Sequence, residues 1–93
     1  MRATTVQLAK ARQITEQLLD SLALDNYLFE IEPGEREWAL RLDCPLGEQE
    51  WTSLTIPVDG RRLLESEADP RLRSEIRESW QQRLAACRRA RGG

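Results

Sequence analysis

The sequence predicts an α+β fold, an α-β-β-β-α two-layer domain whose three-stranded antiparallel meander carries its helices on one face. Three observations predict it. Apolar residues recur every three or four positions over residues 4–24, every second position over 27–58, and every fourth position after Pro70. Each helix then has one apolar stripe and the sheet one apolar face, so two layers bury all of them. At 93 residues the chain is read as a single domain, 1–93.

The first helix spans residues 4–24. Leu8, Ala11, Leu18 and Leu22, joined by Ile14 and Leu19, line one side, while Lys10, Arg12, Gln13, Glu16, Gln17 and Asp20 take the other. Thr4 or Thr5 serves as N-cap, and Asp25-Asn26 is the stop. From Tyr27 the period becomes two. Tyr27, Phe29 and Ile31 face inward, and Leu28, Glu30 and Glu32 face outward. Pro33-Gly34 reads as a type II turn, with Gly34 accepting the positive φ. The second strand, residues 36–43, sets Trp38, Leu40 and Leu42 against Glu37, Ala39, Arg41 and Asp43, and Cys44-Pro45-Leu46-Gly47 ends it. The third, residues 50–58, sets Leu54, Ile56 and Val58 against Trp51, Ser53 and Thr55, with Pro57 pointing to an edge position or the last rungs. Connections this short allow only antiparallel neighbours.

Asp59 caps a brief helical turn over residues 61–64. Asp69-Pro70 then starts the last long helix, Asp as N-cap and Pro in the first turn. Its stripe is Leu72, Ile76, Trp80, Leu84 and Cys87, and Arg88, Arg89 and Arg91 suit its negative C-terminal end.

Composition narrows the chemistry. There is no histidine, so the commonest general base near neutral pH is missing, and so is the commonest metal ligand. Five serines have no base beside them and no Gly-x-Ser-x-Gly elbow. Cys44 and Cys87 are 43 positions apart and read as two reduced, half-buried thiols. A nucleophilic Cys44 would need an electropositive setting, which Asp43 opposes. Glu30/Glu32 and Glu48/Glu50 could mimic a carboxylate dyad or a hard-cation site, but alternate positions on a polar strand face fit solvated acids better. No catalytic residue, metal or cofactor is therefore expected. No apolar run is long enough to span a bilayer, and residues 1–10 lack the apolar core of a secretory signal, so the expected location is cytoplasmic, away from membranes.

Charge is segregated. Residues 1–60 hold five basic and eleven acidic groups, and residues 61–93 hold nine arginines and five acids. The element order resembles the double-stranded RNA-binding domain, whose recognition depends on a lysine-rich start to the second long helix, and Arg61, Arg62, Arg71 and Arg73 could form a local basic patch here. The chain departs from that family where its second long helix begins, since Asp69-Pro70-Arg71-Leu72-Arg73-Ser74-Glu75 dilutes arginines with acids and has no Lys-Lys pair. The acidic sheet would also repel phosphates. The end of the chain, Arg88-Arg89-Ala90-Arg91-Gly92-Gly93, resembles the tail of ubiquitin-like modifiers and sulfur carriers, whose body begins with a hairpin instead of a helix. Residues 4–58 are loosely similar to type III secretion chaperones, without the later strands through which those pair.

The expectation that follows is a non-catalytic protein–protein interaction module, an adaptor, chaperone or regulator, that binds through the acidic sheet face or the edge of the third strand. Leu28, Glu30, Arg41 and Trp51 would make the contacts, and the partner would be a basic protein or a second copy of the chain, as a homodimer. The alternative is an RNA- or DNA-binding domain using the four arginines.

Overall fold

The computed structural model describes residues 4–24, 26–45 and 50–87. Its elements are α1 (Thr5–Asp20), β1 (Leu28–Glu32), β2 (Trp38–Pro45), β3 (Trp51–Val58), α2 (Gly60–Glu65) and α3 (Pro70–Arg83), followed by a 3-10 turn at Ala85–Cys87. The strands form one antiparallel sheet in the order β1-β2-β3. This is the expected α+β meander, with helices before and after it.

α1 starts on a capping box. The Thr4 hydroxyl accepts from the Gln7 amide at 3.1 Å, and the Gln7 side chain accepts from the Thr4 amide at 3.0 Å. The helix ends at Asp20, four residues short of the expected Leu24. Three hydrogen bonds from two side chains hold that end. The Tyr27 hydroxyl donates to Asp20 at 2.6 Å, and burial together with this carboxylate raises the phenol above its ordinary pKa. The Arg77 guanidinium donates to the Ser21 hydroxyl at 3.0 Å and to the Ser21 carbonyl at 2.9 Å. A cation there meets the negative end of the helix dipole, a contribution of about 0.3–1 kcal/mol. Beyond it Ala23 takes a left-handed φ of 56° and turns the chain toward β1, while Leu22 and Leu24 stay buried.

The turn after β1 differs from expectation. Gly34 does not adopt a positive φ, so this is not a type II turn. Glycine is required there for clearance, because a β-carbon would fall 2.2 Å from the Glu37 carbonyl oxygen. Asp59 caps α2 through the Arg61 and Arg62 amides, and Asp69 caps α3 through those of Arg71 and Leu72, with Pro70 in the first turn. Gly60 opens α2 flat against the Trp38 indole, where a β-carbon would lie 2.4 Å from the ring.

All helices cover the same side of the sheet. Ile31, Trp38, Leu40, Leu42, Ile56 and Val58 share one core with Ile14, Leu18, Leu19, Leu63, Trp80 and Leu84. Leu40 and Leu42 are fully enclosed. Truncating such a side chain costs about 2–5 kcal/mol, several times any exposed ion pair, so this seam holds the fold. Thr15 also lies inside it, and its hydroxyl has no hydrogen-bond partner among the described residues. α3 is the loosest element. Leu72 and Ile76 are only half-buried, and the helix is anchored at its far end by Trp80, Leu84 and Cys87.

The cysteines correct the sequence reading. Cys44 and Cys87 are fully buried and joined in a disulfide, instead of being half-buried thiols. β2 runs two residues beyond its expected end, to Pro45, so Cys44 keeps the inward phase of Trp38, Leu40 and Leu42. Cys87 ends the α3 stripe, and the two stripes meet tail to tail with the α-carbons 5.7 Å apart. The expected connector through Leu46 and Gly47 lies outside the described residues, as do Glu48, Arg88, Arg89, Arg91 and Gly92-Gly93.

Two outcomes are expected. Reducing the disulfide, whose cysteines are 43 positions apart, should cost roughly 4 kcal/mol of stability on the loop-entropy relation and release α3 first. Hydrogen exchange should then rise over residues 70–87 before the strands, whereas free thiols alkylated in denaturant without reductant would contradict the bond. Thr15→Val should raise stability by about 1 kcal/mol by removing the unsatisfied hydroxyl, read as an increase in melting temperature.

Candidate functional site

The outer face of the sheet is set by the strand period and by the register. Every residue facing away from the helices falls into one of four rows. Leu28, Asp43 and Ser53 lie side by side, as do Glu30, Arg41 and Thr55, then Glu32, Ala39 and Pro57, and Pro45 stands opposite Trp51. With no helix on this side, two large apolar residues are left in water, Leu28 at 64% and Trp51 at 56% exposure. Leu28, Glu30, Arg41 and Trp51 therefore all lie on this one face.

Charge is arranged around a single cation. The Arg41 guanidinium reaches Glu30 at 3.1 Å on the neighbouring strand and Glu32 at 3.4 Å. Asp43 accepts from the Ser53 hydroxyl across the other seam. Three carboxylates and one guanidinium leave the strand face anionic. Leu28, Phe29, Glu30, Arg41 and Asp43 line a shallow depression of about 240 Å³. Trp51 stands apart from it, on the far side of β2, roughly 10 Å across the sheet from β1. Sequence reasoning placed the four residues on one face without separating the Leu28–Glu30–Arg41 group from the Trp51 corner. Glu37 was also expected on this face, and it is exposed just ahead of β2.

The four arginines of the alternative reading lie on α2 and α3 among acids. Arg62 pairs with Glu75 at 3.3 Å, and Arg73 donates to Gln17 on α1. Arg62 and Arg71 line a common depression with Glu65, Asp69 and Glu75. Arg61 is exposed at the start of α2. Acids on the same two helices thus interleave with the cations.

A further groove escaped the sequence reading. It is about 220 Å³, lies between the end of β3, α2 and α3, and has Val58, Leu63, Ile76 and Trp80 below Arg62 and Glu75. The signal for it was the half-buried stripe of a helix rich in charge. Among the described residues no three His, Cys, Asp or Glu side chains gather as metal ligands. No described helix is long and apolar enough to cross a membrane.

No family model, curated protein or solved structure matches this chain.

The ion pairs of Arg41 are about half exposed, so their stabilising effect is small. Arg41→Gln should change unfolding free energy by less than about 1 kcal/mol in urea. A larger loss would make Arg41 a structural residue and remove it from the site.

Proposed function

We propose that the chain is a non-catalytic protein-binding module, an adaptor, chaperone or regulator, whose outer sheet face docks a basic segment of another protein. The observation that carries this reading is the exposure of Trp51 and Leu28 on a strand face whose charged residues are three carboxylates and one guanidinium. Tryptophan contributes more binding energy than most residues when an interface dries around it. Glu30, Glu32 and Asp43 would steer a cationic partner and raise its rate of encounter, with Arg41 fixing register by exchanging an internal carboxylate for one on the partner.

The reading also bears on location. The buried Cys44–Cys87 bond favours an oxidising compartment over the cytoplasm expected from composition, because cytosolic thiol pools keep most cysteines reduced. A fully enclosed bond is also protected from attack by thiolates.

Trp51→Ala should leave unfolding free energy within about 0.5 kcal/mol of the parent. It should weaken capture of the partner by about thirty-fold or more, as expected for a hot-spot tryptophan. Glu30→Lys should act in the same direction through the association rate and abolish part of its salt dependence. The reading fails if Trp51→Ala lowers stability and binding in parallel, or if both variants bind as the parent does.

A further inference from the structure

The two edges of the sheet are built differently. β1 is five residues long, carries Glu30 and Glu32, and is followed by Pro33, all features that discourage another strand from adding to it. β3 is eight residues long and none of them is charged, in a chain with 32% charged residues. Among the described residues β3 is a terminal strand of the sheet. Ser53 and Thr55 are exposed and Leu54 is half-buried.

Pro57 shows which backbone groups this edge offers. Residues along an antiparallel strand alternate between directing their N–H and C=O to one neighbour and to the other. Proline has no N–H, so it is tolerated where that missing donor faces the open side. Pro57 stands opposite Ala39 on β2. Trp51, Ser53 and Thr55 share its phase, and their backbone groups therefore point off the sheet.

We infer that β3 pairs antiparallel with β3 of a second copy of this chain, about a two-fold axis at Leu54, joining two sheets into one of six strands. The strand is complementary to itself in that register. Ser53 faces Thr55 of the other copy twice, each pair exchanging two backbone hydrogen bonds. The Trp51 amide meets the Pro57 carbonyl of the other copy, so the proline falls at the end of the seam, where it needs no donor. Leu54 meets its own counterpart in a non-hydrogen-bonded rung, where side chains approach most closely and apolar pairs fit best. On the outer side the exposed Trp51 indole covers Pro57 of the other copy. No charge is brought against a like charge, which distinguishes this edge from β1. The inference rests on the edge of the sheet and shares Trp51 with the outer-face reading, but Glu30 and Arg41 take no part in it.

Sedimentation equilibrium of the full chain should give about twice its 10.8 kDa mass at high micromolar concentration. Two variants test the register. Ser53→Lys with Thr55→Lys, and Ser53→Glu with Thr55→Glu, place like charges opposite one another at exposed positions. Each variant should be monomeric with the parent's circular dichroism, and an equimolar mixture should recover the dimer. A parent that stays monomeric overturns the proposal. So do substituted chains that remain dimeric, or a mixture that stays monomeric. Glu30→Lys should leave the dimer intact, so loss of the outer-face binding alone does not touch this result.

Discussion

The seam between the inward residues of β2 and the helical layer is the constraint on which the other features depend. Trp38, Leu40, Leu42 and Cys44 occupy successive inward positions on the central strand, and all four are buried. Because β2 has a neighbour on each side, its register fixes the phase of β1 and β3 as well. A slip of one residue would turn all four into solvent and bring Ala39, Arg41 and Asp43 against the helices. The indole of Trp38 adds a second restriction by pressing on Gly60, which sets how closely α2 can approach. The exposed outer face is a consequence of the same phase.

The helical layer is held unequally. α1 contributes Ala11, Ile14, Leu18 and Leu19 to the core along much of its length. α3 contributes one buried residue within the helix, Trp80, and is otherwise held by polar contacts and by the segment that follows it. The disulfide pins the segment that follows it to β2, and Arg77 joins its middle to the end of α1. A covalent closure of a long loop outweighs an exposed guanidinium contact several-fold. The bond therefore decides whether α3 is a fixed wall of the domain, and with it the shape of the groove below Trp80.

Charge on this protein organises surfaces more than it stabilises them. The Arg41–Glu30–Glu32 cluster is solvent-exposed, as are Arg62–Glu75 and Lys10–Glu67. Such pairs contribute little to stability. The β1 edge and the outer face carry carboxylates, while β3 carries none. One strand edge is thus defended and the other left open, and the acidic face lies between them.

Local patterns in the sequence were enough to determine the order of the elements, the caps at Thr4, Asp59 and Asp69 and the side of the sheet that strand residues face, though not where α1 and β2 end. Thr4, Asp59, Asp69 and Pro70 act over three or four residues, and strand alternation is a property of adjacent residues, so no distant contact is needed to read them. Leu28, Glu30, Arg41 and Trp51 were placed on one face by that alternation alone. The tertiary structure decided what depends on partners far apart in the chain. The Cys44–Cys87 bond, the Arg77 cap on α1, the clearance of Gly60 over Trp38 and the Arg62–Glu75 pair each join segments whose approach is set by packing, and period-two or period-four patterns carry no record of it. The disulfide came nearest to being legible, since its cysteines end the two stripes that face each other. What was missing was the extra pair of residues on β2, because Pro45 reads locally as a stop while the ladder to Trp51 carries the strand through it.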